Sequence, residues 1–200
     1  MKLAAKREIK RKLFHCLLLI YAFGFWFLDK TTVIIGLSIA IAGGALFEVL
    51  RFKVKVINDA FCRYCHGIYR SEEVNRISAF IGTIGGALIT VIVFPNRYMV
   101  FASFLYLAFG DSAAALIGRS FGKHKIASAK TLEGSFACFL ACFIVGLFLF
   151  NPLFAFLGAL LASIVEAFDW RRLPIKNDNF WMQIINAAVL TLLSAHIKWS

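Results

Sequence analysis

Seven apolar runs, at 13–28, 31–47, 77–94, 98–117, 135–150, 153–168 and 180–197, take up most of this chain and are separated by polar stretches. An apolar helix of about 17–25 residues matches the hydrocarbon core of a bilayer, and a helix satisfies its own backbone there. The runs at 13–28 and 31–47 fall at the short end of that range and are expected to lean or bend. Apolar residues make up 60% of the 200, mean hydropathy is +0.78 and there are 22 phenylalanines. Soluble domains hold roughly 45–50% apolar residues. The expected fold is an all-α, polytopic integral membrane bundle of about seven transmembrane helices, forming one domain over 1–200.

The cations orient it. Of 22 Lys and Arg, all but Lys30, Arg97 and Lys198 lie in 1–12, 48–76, 118–134 and 169–179. With the N-terminus inside, those four segments are a basic tail and three cytoplasmic loops, as cation bias at membrane proteins requires. Orientation and phosphate binding then account for the net charge of +11, and no nucleic-acid partner is expected. The first run follows six basic residues as a signal peptide would, but Gly24-Phe25-Trp26-Phe27 is too bulky for a cleavage site. Within 48–76, Val54, Ile57, Phe61 and Ile68 fall near helical spacing, which fits a surface helix or an amphipathic connector. The five cysteines form no disulfide framework. Cys62-Arg63-Tyr64-Cys65-His66 matches a haem-attachment string, but haem is attached on the oxidising face and this loop is placed on the other. His124, Cys138, Cys142 and His196 are read as structural.

The densest chemistry lies at 110–135, GDSAAALIGRSFGKHKIASAKTLEGS. Asp111 and Glu133 bracket Arg119, Lys123, Lys125 and Lys130, with glycines at 110, 118, 122 and 134. Carboxylate oxygens hold Mg²⁺ or Mn²⁺, cations neutralise phosphate oxygens, and glycine lets backbone N–H groups approach. Gly134-Ser135 is expected to open a helix whose N-terminus favours an anion. A polyphosphate site follows, or else a solvated basic loop. Glu48, Asp111 and Glu166 sit at inner ends of apolar runs, where an ionisable group is costly; each has a site role or an Arg partner.

The same stretch resembles the signature of CTP-dependent lipid-alcohol kinases: dolichol kinase, phytol kinase and CTP-dependent diacylglycerol kinase. Gly110-Asp111, Gly118-Arg119, Gly122-Lys123 and Lys130-Thr131-Leu132-Glu133-Gly134-Ser135 carry that resemblance. It extends to Arg11-Lys12 and His15 at the first helix, to the Glu-x-x-Arg-x-Ser stretch at 73–78, and to Glu166 with Asp178-Asn179. The resemblance implies phosphate and nucleotide contacts at Gly110, Ser112, Gly118, Arg119, Gly122, Lys123, Lys125, Lys130, Thr131, Gly134, Ser135, Arg11, Lys12 and His15. The metal would rest on Asp111, Glu133 and Asp178. Asp111, Glu166 and Asp178 form the catalytic set, with Asp178 as the first choice for the base. Asp178-Asn179 also suits a helix cap.

The expected activity is transfer of the γ-phosphoryl group of CTP, or another nucleoside triphosphate, to the hydroxyl of a lipid alcohol such as diacylglycerol, a polyprenol or phytol. Its place is the cytoplasmic face of the plasma membrane, if the source is prokaryotic, among membrane lipids. The lipid and the oligomeric state are not legible. The related phosphatidate cytidylyltransferases are one alternative, although their His-Gly-Gly and Asp-Arg-x-Asp strings do not occur here. A small transporter is the other, and the crowding of charge at one face argues against it.

Overall fold

A computed structural model describes residues 18–64, 78–127, 130–170, 175 and 177–199. It is all-α apart from one hairpin. The described helices are α1 (Leu18–Phe27), α2 (Lys30–Lys53), α3 (Lys55–Tyr64), α4 (Ala79–Val93), α5 (Arg97–Phe121), α6 (Leu132–Leu147), α7 (Pro152–Ala167) and α8 (Asp178–His196). Strands β1 (Lys125–Ala127) and β2 (Lys130–Thr131) pair antiparallel between α5 and α6. Each apolar run except the first is matched along most of its length by a helix. The first is described only from Leu18.

Helix α5 is the hub. It packs against α1, α6 and α8, while α6 lies along α7, and α4 lies between α2 and α8. One core joins α5 to α6, α7 and α8 through Met99, Tyr106, Cys142, Phe154 and Leu190. A second joins α1, α2 and α4 to α5 through Phe25, Leu37, Val91 and Phe104. Between α4 and α8 a polar bond joins the packing: Gln183 donates to the Thr83 carbonyl at 2.7 Å, and Tyr21 of α1 donates to Gln183 Oε1 at 3.2 Å.

The outside is apolar. In α2 only Val33, Leu37, Glu48 and Arg51 are buried, and Ile39, Phe148, Ile164 and Leu192 are among the large apolar side chains that face outward. A helix apolar all round that hides so little needs an apolar surrounding. By length and composition α2 and α5, at 24 and 25 residues, can cross a membrane, and α4, α6 and α7 are apolar but shorter.

Three expected boundaries move. Helix α2 runs on to Lys53 because Glu48 Oε2 accepts from Arg51 Nη2 at 2.6 Å, one helical turn away. The Arg51 guanidinium also lies 4.5 and 5.1 Å from the Phe52 and Phe61 ring centres. Glu48 therefore takes the Arg-partner role. The expected loop at 48–76 begins with the end of α2 and goes on as helix α3, and its remainder, with Cys65 and His66, lies outside the described residues. The expected loop at 118–134 holds the last turn of α5 and the hairpin. Helix α6 starts at Leu132 rather than at Ser135 because Thr131 caps it, its Oγ1 accepting from Gly134 N at 3.1 Å.

At the Asp29 end the turns are short and closed. Asp29 caps α2, Asn96 caps α5 and Asn151 caps α7. Lys30 donates to the Ile92 carbonyl, and Arg97 donates to the carbonyls of Trp26 and Leu28. Trp26, Tyr98, Trp199 and Phe150 form a chain of ring contacts across this end.

Candidate active site

Up-and-down packing brings four helix ends together at the other pole: the C-terminal half of α5, the start of α6, the end of α7 and the start of α8. Residues 106–111 of α5 form a π-helical turn. Such wide turns often mark functional positions. Here the turn has a packing cause: Cys142 donates to the Tyr106 carbonyl at 3.7 Å, and Gly110 lies against Cys138 and Cys142 so closely that a Cβ there would meet their sulfurs at 2.9 and 2.7 Å. The turn ends at Asp111, which is buried and lines a cleft. Beyond it Ala114, Ala115, Gly118 and Arg119 line the same cleft at helical spacing.

The hairpin returns the chain onto that face. Lys125 pairs with Thr131 and Ala127 with Lys130 in the ladder, and Leu132 N donates to the His124 carbonyl at 2.9 Å. Close approach of α5 and α6 depends on missing side chains. A Cβ on Gly134 would stand 2.9 Å from the Ala114 carbonyl oxygen and 3.3 Å from Gly118 Cα. Thr131 and Gly134 thereby become cleft wall.

Glu166, near the end of α7, and Asp178, the first residue of α8, close the cleft. Lys130 Nζ pairs with Glu166 Oε1 at 2.5 Å, and Ser135 Oγ donates to Glu166 Oε2 at 3.2 Å. Burial acts to lower the affinity of Lys130 for its proton; Glu166, Asp111 and Asp178 outweigh it and raise its pKa above the usual lysine value. The ammonium is therefore fixed as a cation. The cleft is partly open and its volume is about 100 Å³. Whole-ligand pockets run to roughly 300–1,000 Å³, so this space matches a phosphoryl group and an ion rather than an entire nucleotide.

Of the residues expected at the site, Asp111, Gly118, Arg119, Lys130, Thr131, Gly134, Glu166 and Asp178 line the cleft, and Ser135 supports Glu166. Ser112 follows Asp111, with its hydroxyl buried. Lys123 and Lys125 are exposed. Gly122, expected at phosphate, has its α-carbon side against Thr131 and the Gly118 carbonyl. Arg11, Lys12 and His15 lie outside the described residues.

Glu133 is the main correction. It was expected to share a metal with Asp111 and Asp178, yet it does not line the cleft. Its Oε1 lies 2.7 Å from His124 Nδ1 on the outer side of the hairpin. Its own backbone N–H and His124 lower its pKa to about 2. Thr131 at the cap sets the phase of α6, and Glu133 two residues on then points away. Glu166 takes the third acidic position, 33 residues further along, where no local spacing signals it. Ala114 and Ala115 were also not singled out; their helical spacing from Asp111 was the available signal.

Among the described residues no three His, Cys, Asp or Glu side chains form a ready metal group. The donor chemistry nonetheless fits Mg²⁺, which takes one or two carboxylates and fills its other positions with water and substrate phosphate oxygens. Asp111 and Asp178 are the carboxylates that would hold it.

Fold and cleft together define the class: an all-α protein with an apolar exterior and, at one pole, a small cleft where three carboxylates face two cations. The relatives narrow it. CTP-dependent diacylglycerol kinase 1 of Schizosaccharomyces pombe is 29% identical over 213 aligned positions, 94% of each chain. The protein of the same name from Eremothecium gossypii is 23% identical over 223, 95% of this chain and 68% of its own. An uncharacterised protein of Rickettsia prowazekii is 27% identical over 146, covering 72% and 71%. No family profile and no solved structure matches. The likeness to CTP-dependent lipid kinases thus extends from the central motif to most of the chain.

Proposed function

We propose that this chain is an integral membrane kinase that moves the γ-phosphoryl group of CTP to the hydroxyl of a lipid alcohol, with diacylglycerol the first substrate to try. The observation that carries the reading is the meeting of Asp111, Glu166 and Asp178 with Lys130 and Arg119 in one cleft of phosphoryl size. The names of the relatives supply the nucleotide and the lipid.

Phosphoryl transfer asks little covalent chemistry of a protein and much positioning and charge neutralisation. Arg119 and Lys130 clamp phosphate oxygens. Asp111, with Asp178 or Glu166 as the second carboxylate, would hold Mg²⁺ or Mn²⁺, which would supply further neutralisation of charge on the phosphates. The N-terminus of α6 directs its dipole at the same space. Asp178, at the cleft edge, accepts the hydroxyl proton as the lipid oxygen bonds to the γ-phosphorus and the bridging oxygen leaves with CDP. All described helices except α3 enter or cross the bilayer, with α3 at its surface and the N-terminus and cleft on the cytoplasmic side. The lipid hydroxyl then rests at the interface beside the cleft.

The test is a label. Membranes carrying the protein, given Mg²⁺, a panel of lipid alcohols and CTP labelled at α or γ, are expected to put only the γ label into lipid. Entry of the α label with release of pyrophosphate would establish a cytidylyltransferase instead. No entry of either label would remove the enzyme reading.

A further inference from the structure

The cleft already contains a cation, and it is part of the chain. Lys130 reaches from β2 to Glu166, the lysine side chain 16% exposed and the carboxylate 3%. Ser135 holds the other oxygen of Glu166, and Asp111 and Asp178 share the wall. Three carboxylates around so small a space repel one another unless positive charge sits among them. In the resting protein Lys130 provides it, together with Arg119 at the wall.

We propose that Lys130 is a place-holder for the divalent ion: it occupies Glu166 until a nucleotide arrives, and then exchanges Glu166 for a phosphate oxygen while the ion takes up the freed carboxylate. This rests on the phosphoryl-transfer reading and adds an order of events to it. Metal and nucleotide enter together, and the carboxylates do not collect a divalent ion alone. Charge is matched in both states. At rest Glu166 faces Lys130; when loaded, Glu166 faces the ion and Lys130 faces phosphate. No covalent bond changes. A lysine suits the exchange, since its ammonium sits on a flexible four-carbon stem and has three rotatable donors. The carboxylates are not gathered as a complete metal group, and in this scheme phosphate oxygens complete the coordination.

The experiment is a titration of the full chain in detergent with Mn²⁺, the free ion read by electron paramagnetic resonance, without nucleotide. Lys130→Met keeps length and removes charge. It is expected to bind Mn²⁺ tighter than the unaltered protein by about tenfold or more, the scale expected when a contacting unit charge is removed. Equal affinities would overturn the proposal. The gain should vanish in the Lys130→Met/Glu166→Gln double variant; a gain that persists would also overturn it. If Lys130→Met does not fold, the unaltered protein decides: after subtraction of the Mn²⁺ that the analogue chelates in a protein-free titration, a non-hydrolysable CTP analogue should tighten Mn²⁺ binding to the protein about tenfold, and tight binding without it sinks the idea. Transfer of the γ label is measured on the unaltered protein. The Mn²⁺ pattern without transfer would leave the place-holder standing and remove the kinase reading.

Discussion

At the Asp29 end of the bundle, polar groups are consumed locally. Asp29 accepts from Thr32 N at 2.8 Å and from its hydroxyl at 2.6 Å; Asn151 caps Phe154 and donates to the Lys198 carbonyl at 2.7 Å. The cations there hydrogen-bond helix-end carbonyls, and aromatic rings seal the surface. At the Asp111 end, acidic and basic side chains from α5, β2, α7 and α8 face one space. Both ends join antiparallel helices, so topology alone does not require the second arrangement. What differs is where charge is directed: into the turn itself, or into a shared cleft. Substitutions at the first end should therefore move stability and leave chemistry alone, and those of the charged side chains at the second should do the reverse.

The largest expected effect is at Asp111. Asp111→Asn keeps shape and removes charge, and turnover should fall about 100-fold or more, on the scale of roughly 2.7–4 kcal/mol seen for preorganised electrostatic groups. Melting in detergent should hardly change. Turnover above about a third of normal in a folded sample would take Asp111 out of the site, and a melting loss with normal turnover would make the cleft end merely structural. Gly134→Ala probes the wall itself. The new methyl meets the Ala114 carbonyl oxygen, and overpacking of this kind costs about 1–3 kcal/mol, so melting and activity should fall together. A silent Gly134→Ala would show that the helices can part there.

Asn151→Ala is the matching test at the other end. Loss of its cap should cost about 1 kcal/mol, read as a lower melting temperature with normal turnover per folded molecule. Reduced turnover at unchanged melting would break the division between the ends. The smallest effect concerns pH. The Thr32 hydroxyl and backbone N–H hold the Asp29 carboxyl below its usual value. A lowered folded-state pKa stabilises above the unfolded value and loses that contribution as pH falls through the folded one. The melting difference between the unaltered protein and Asp29→Ala should accordingly narrow below about pH 4, and a difference that stays flat with pH would show that charge at this cap is immaterial.

The sequence and the structure agree where hydrophobicity decides. The apolar runs mark the helices, and Asp111, Arg119 and Lys130 are recognisable because charge interrupts apolar or glycine-rich sequence there. Agreement fails where phase decides. Glu133 lies in the motif yet points outward, because Thr131 rather than Ser135 starts the helix. Glu166 and Asp178 reach the cleft only through the packing of α7 and α8, which no spacing encodes; a charge at the inner end of an apolar run pointed to Glu166, and family resemblance pointed to both. The π turn left no trace in composition, since its cause is contact with Cys138 and Cys142 on another helix.

That turn works as a phase adjuster. A π turn holds about one residue more than an α turn, and an α-helix advances about 100° per residue. Residues 106–111 take up that extra residue locally, so the first half of α5 keeps its packing on α1 while Asp111, Ala114, Gly118 and Arg119 keep the cleft face. Were the same number of residues wound as regular α-helix, α5 would still be a sound helix, but those four residues would turn toward other neighbours. The first half of α5 thereby belongs to the scaffold and the second to the cleft, and the wide turn is what lets one helix serve both.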